Sequence, residues 1–103
     1  MTERYTMNRK EHRARFTWSP EQLRLGLPAF EETVDPAWLS GSSEEGWSLR
    51  CRFPKRPSDQ GNPSEGYVSF AMDDAPHDQL RPGSSLRLYE RATQRHASVD
   101  IID

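Results

Sequence analysis

Apolar and polar residues alternate with a period of two in five stretches of the chain, the pattern of strands that bury one face and show the other to water. "WSLRCRF" sets Trp47, Leu49, Cys51 and Phe53 on one face and Ser48, Arg50 and Arg52 on the other, and Pro54 ends the run. "YVSFAM" turns Val68, Phe70 and Met72 inward. "SLRLYE" buries Leu86 and Leu88 and leaves Arg87, Tyr89 and the following Arg91 outward, while "HASVDII" buries Ala97, Val99 and Ile101. Near the start, "HRARFTW" alternates Ala14, Phe16 and Trp18 with Arg13, Arg15 and Thr17, which predicts a first strand.

Two short segments read as helical. In "WSPEQL" Ser19 is a cap, Pro20 suits the first helical position and Gln22 completes a capping box, with Trp18 and Leu23 spaced as a hydrophobic staple. Gly26 and Pro28 stop that helix within two turns, although Leu23, Leu25 and Leu27 also alternate as a strand would. "VDPAWLSG" repeats the cap and proline at Asp35 and Pro36, predicting one helical turn that presents Trp38 and Leu39. Residues 1–11 read as a flexible basic tail, 40–46 as a small acidic loop, and 54–66 as a long turn-forming connection with three prolines. The strands on either side of "RATQ" are spaced as a hairpin. Strands with a single apolar face fit an antiparallel sheet that curls over its own core. The fold class expected is therefore mainly β, a small antiparallel barrel or sandwich over residues 12–103 with one short N-terminal helix.

Composition narrows the picture. Eight Leu, two Ile, three Val and four Phe in 103 residues make a small core, and a net charge of −2 removes the self-repulsion that would keep the whole chain unfolded. Basic groups cluster at 1–15 and none occurs between Arg24 and Arg50, so the chain lacks the overall basic excess of a general nucleic-acid binder. The single Cys51 allows no internal disulfide, and neither a signal-peptide core nor an apolar run of membrane-spanning length occurs. A soluble cytoplasmic protein without membrane contact is expected.

Three groups of residues invite chemistry. Asp73, Asp74, His77 and Asp78 fall within six residues and could hold a cation, but Pro76 and Leu80 interrupt the run, and neither glycine nor glutamate stands where a calcium loop needs them. A solvated bend between strands explains them as well. His96, Ser98 and Asp100 are the residue types of a hydrolytic triad, yet alternate strand residues lie about 6.6 Å apart with side chains parallel, too far for proton transfer. Cys51, between Leu49 and Phe53, reads as core. With no phosphate-binding glycine loop and no C-x-x-C, no cofactor is expected. What remains is surface: Arg50, Arg52, Lys55 and Arg56 on one strand and its end, and Arg87, Tyr89 and Arg91 on another. Arginine beside tyrosine suits a protein interface or a phosphate with a stacked base, and a solvated sheet face explains the same residues.

"LRPGSSLRLYERATQRHASVDII" (80–102) resembles the closing segment of the C-terminal β-barrel of elongation factor Tu and of short bacterial proteins built on that barrel. The shared pattern is Leu80, Pro82 and Gly83 at a turn, Leu86, Leu88 and Glu90 on a strand, and Ala97, Val99 and Ile101 on a closing strand, with Arg91 and Ala92 where that family places glycines. The resemblance implies a scaffold for contacts with proteins and RNA, without nucleotide hydrolysis. The reading is a non-enzymatic binding protein with a protein partner, of inhibitor or immunity type. The alternatives are an RNA-binding translation-factor-like barrel and a metal-dependent enzyme using the 73–78 loop.

Overall fold

A computed structural model describes residues 10–40, 46–91 and 95–103. Six strands run in the order β1 (His12–Trp18), β2 (Glu32–Leu39), β3 (Trp47–Arg52), β4 (Ser64–Phe70), β5 (Ser85–Glu90) and β6 (Arg95–Ile101). All neighbours pair antiparallel, and the spatial order β1-β4-β3-β2-β5-β6 closes on itself as a barrel. The hairpin succession β2–β3–β4, with β1 returning beside β4, is a Greek key. Alternation does what it predicts: Ala14, Phe16, Leu49, Cys51, Val68, Phe70, Leu86, Leu88, Ala97, Val99 and Ile101 all point into one core.

The short helix α1 (Pro20–Leu25) follows β1. The Ser19 hydroxyl accepts from the Gln22 amide at 3.1 Å, and Gly26, at φ 99°, lets the chain leave the helix in a conformation other residues avoid. The rest of the expected cap differs. The Ser19 amide donates to the His96 carbonyl, so Gln22 folds back to the Gly26 carbonyl and becomes the buried residue of α1, while Leu23 of the expected staple lies at the surface.

Three further expectations are corrected. "VDPAWLSG" is not a helical turn but most of β2, which pairs with β3 from Glu32↔Arg52 to Ala37↔Trp47. One helical turn secures little hydrogen bonding for the dihedrals it fixes, whereas a full ladder secures many bonds. Pro36 is tolerated because the β2–β5 ladder begins only at Ala37. The 54–66 connection holds a one-turn helix, α2 (Pro57–Gln60), and β4 starts within it at Ser64. Met72 is exposed rather than inward, because β4 ends at Phe70 and the chain turns away. Residues 1–9 of the predicted 1–11 tail, most of the predicted 40–46 loop, and residues 92–94 of the predicted hairpin connection lie outside the described residues; β5 and β6 pair as far as Glu90↔Arg95.

The connections on either side of α1 and α2 cover one end of the barrel. Phe53 donates its amide to the Glu31 carbonyl at 2.7 Å and Ser58 to the Pro28 carbonyl at 2.9 Å. Phe16, Trp18, Phe30 and Phe53 pack there with centroids 4.8–6.4 Å apart. Gly66 makes that packing possible, since a Cβ would stand 2.7 Å from the Phe53 ring and 2.8 Å from the Arg52 carbonyl oxygen. The buried Trp18 indole N–H donates to Ser64 Oγ, which donates in turn to the Gly61 carbonyl.

At the same end lies a buried ion pair. Asp35, 1% exposed, receives both Nε (2.9 Å) and Nη2 (2.8 Å) of Arg95, whose guanidinium also lies over the Phe30 ring. The Asp35 hydrogen bond holds the Arg95 guanidinium above its ordinary pKa. The pair ties β2 to β6 just beyond the β2–β5 ladder, which at three residue pairs is the shortest in the barrel.

Candidate binding face

The seven residues singled out from the sequence fall into two groups on either side of β2. Arg50 and Arg52 point outward from β3, with Lys55 and Arg56 in the chain beyond its end. Two of these cations are already engaged. Arg52 forms a two-pronged contact with Glu11 (Nε–Oε2 2.9 Å, Nη2–Oε1 2.7 Å) and lies over the Tyr67 ring at 4.7 Å. The Arg52 hydrogen bond lowers the Glu11 pKa. Arg56 meets Glu31 at 3.2 Å. The 54–66 connection is knitted to the barrel: Gln60 donates to the Lys55 and Glu65 carbonyls and accepts the Glu65 amide, and Asn62 Oδ1 accepts the Trp18 amide.

The second group is differently placed. Arg87 and Tyr89 project from β5, with Arg91 one residue past its end. Strand pairing sets Arg87 between Trp38 of β2 and Ser98 of β6, and Ser98 beside Thr17 of β1. Trp38, Arg87, Ser98 and Thr17 thus form one row across the outside of four strands. The Arg87 guanidinium lies 5.7 Å from the Trp38 ring centroid. The indole also rests so close to Gly46 that a Cβ there would be 2.8 Å from Cε2. The Trp38 side chain is thus bounded by Arg87 and by Gly46.

Past Arg87 the row falls to a furrow over Ser98 and Thr17. Ser98 and Thr17 are short and exposed, between Tyr89 and His96 in edge-to-face contact at 5.5 Å and the Ser85–Asp100 hydrogen bond of 2.7 Å. One hollow of about 380 Å³ is lined by Trp38, Ser40, Ser85, Arg87, Ser98 and Asp100, and a second, of about 290 Å³, by Thr17, Ser19, His96 and Ser98, so that Ser98 joins them. Beside the furrow, Val34 and Pro36 stand outward on β2, Val34 50% and the neighbouring Tyr89 38% exposed. Arg50 flanks Val34 across the β2–β3 ladder. Among the described residues neither Arg50 nor Arg87 is in an ion pair.

The other candidate groups take structural parts. His77 Nε2 donates to the Met72 and Asp73 carbonyls at 2.9 and 3.2 Å and packs on Phe70, so it pins the bend that leads through a 3₁₀ turn to the buried Leu80. Among the described residues no three His, Cys, Asp or Glu side chains gather as a metal-ligand set. His96, Ser98 and Asp100 do not converge: His96 meets Tyr89, and Asp100 accepts from Ser85. Burial pushes the Cys51 thiol well above its ordinary pKa, as an unreactive core thiol requires. No described helix is long and apolar enough to cross a membrane.

Trp38 and its neighbours Val34 and Pro36 escape sequence reasoning because Asp35-Pro36 reads as a helix start. The signal that could have found them is the alternation of Thr33, Asp35, Ala37 and Leu39, obscured by one buried acid. Comparison of the chain with protein-family models, curated protein sequences and solved structures finds no match.

Proposed function

We propose that this is a non-enzymatic cytoplasmic binding protein that engages a protein partner through the outer face of β2, β5 and β6. The observation that carries the reading is the Trp38–Arg87 stack beside the exposed Val34, Pro36 and Tyr89. Aromatic residues and arginine supply much of the binding energy of protein interfaces, and an anchor already bounded by its neighbours loses less entropy on binding. The likeness of 80–102 to a translation-factor barrel is consistent with a contact scaffold, and an inhibitor or immunity-type role fits a small domain with one such face.

The test is a quantitative pull-down from the native host with wild-type protein and with Trp38→Ala and Tyr89→Ala variants, before and after nuclease treatment. A protein that survives nuclease and drops at least tenfold with both variants is the expected result. Equal capture by all three baits would sink the reading, and a partner lost to nuclease would move the face to RNA.

A further inference from the structure

The chemistry of the face also defines what kind of segment it takes. Resting on the binding role above, we propose that the partner supplies an extended acidic segment, with a carboxylate seated at Arg87 and an apolar side chain laid on Trp38 and Pro36.

Charge is the first argument. The chain is net negative, yet Arg50, Arg87 and Arg91 come to this side of it; Arg50 lies within the field of Glu11, whereas among the described residues Arg87 forms no ion pair. Elsewhere on the barrel Arg52 and Arg56 are held by Glu11 and Glu31. Asp100, which lines the same hollow as Arg87, accepts a hydrogen bond from the Ser85 hydroxyl, so a carboxylate seats on the Trp38 side of Arg87, away from it. The exposed Arg87 guanidinium offers an incoming carboxylate two parallel charge-assisted hydrogen bonds, and its charge favours acidic partners over basic ones.

Shape is the second. The rows on either side of Ser98 and Thr17 are each displaced along the strands by about 6.6 Å, so the furrow is about 13 Å across less the bulk of its walls. That admits one extended chain and excludes a helix about 10–12 Å in diameter with its side chains. The exposed Ser98 and Thr17 hydroxyls offer donors and acceptors to such a chain's backbone. The strip Val34–Pro36 argues for a peptide over a nucleic acid, since it offers a phosphate nothing and an aliphatic or aromatic side chain a surface.

The test uses the full chain labelled with ¹⁵N and titrated with four probes: octapeptides alternating glutamate with leucine, glutamate with phenylalanine and lysine with leucine, and an octauridine RNA. The glutamate peptides are expected to shift the amides of Trp38, Arg87, Ser98 and Thr17, with at least tenfold weaker binding by Arg87→Gln. Arg87→Glu should reverse the preference toward the lysine peptide. Both substitutions are exposed, and melting temperatures within a few degrees of wild type confirm folding. No shifts with either glutamate peptide, shifts confined to another face, equal binding of the lysine peptide, or stronger shifts of the same amides by RNA would each overturn the proposal. A host protein captured in a Trp38-dependent way, with no response to the glutamate peptides, overturns the acidic specificity alone. Loss of Trp38 dependence in the pull-down removes the binding role beneath it.

Discussion

Replacing Arg95 with methionine removes the charge while keeping a long apolar stem. Among the described residues it leaves the Asp35 carboxylate, 1% exposed, with a 3.3 Å contact from the Thr33 hydroxyl in place of two charge-assisted hydrogen bonds. Breaking a buried pair from one side costs about 3–5 kcal/mol; with the Arg95 side chain 21% exposed, some water already reaches it, and about 2–4 kcal/mol is expected here. For a domain of this size that is a fall in melting temperature of about 10–25 °C. The loss has an address as well as a size. Since the pair closes the barrel beyond its shortest ladder, hydrogen exchange should accelerate first at the β2 and β5 amides. The companion variant, Asp35→Leu with Arg95→Met, removes both charges and should recover most of the loss, because an apolar pair of similar volume needs no solvation. Urea unfolding at pH 7 measures all three proteins. A single variant within about 0.5 kcal/mol of wild type, or a double variant as unstable as the single, would refute the reasoning.

Other consequences follow from individual contacts. Gly66→Ala drives a methyl into the Phe53 ring and the Arg52 carbonyl, and thermal melting should show a loss of about 1–3 kcal/mol. Glu11→Gln should cost about 0.5 kcal/mol at neutral pH, the contact with Arg52 being half-exposed. Because folding lowers the Glu11 pKa, its contribution is present above the ordinary value of 4.5 and fades as the pH falls through the lowered one. Melting curves of Glu11→Gln and wild type should therefore converge in acid, and a constant gap would contradict the assignment. Cys51 should react with a thiol reagent only at the rate of unfolding, and fast labelling of the native protein would show the core to be open. Gly46→Ala should lift the Trp38 indole from its seat, giving a red shift in tryptophan emission that vanishes in a Trp38→Phe background.

The fold was legible wherever burial follows alternation alone. β1, β3, β5 and β6 carry inward positions that are apolar almost throughout, and the cap at Ser19 announced α1 by purely local chemistry. β2 was not legible. Its inward Asp35 looks like a surface residue until its partner is known, and that partner lies 60 residues away on β6. The site was half legible for the same reason. Arg87, Tyr89 and Arg91 could be placed on an outer face from their own strand, whereas Trp38 joins them only through the β2–β5 register. The arginines of β3 looked equivalent to those of β5 because salt partners such as Glu11, 41 residues from Arg52, leave no mark on the local pattern.

Closure of the barrel has a bearing on how its surface can be altered. With six ladders joined in a ring the described strands leave little free edge, chiefly the β5-facing side of β2 before Ala37, so a partner on the proposed face would find few backbone hydrogen bonds to borrow. Most of what such a partner would read is side chain, and the side chains open to it are the ones the core does not use. If the proposed face binds, exchanging Val34, Trp38, Arg87 or Tyr89 would therefore re-address the molecule while leaving the scaffold as it is, with the tolerance of a mount that accepts different lenses.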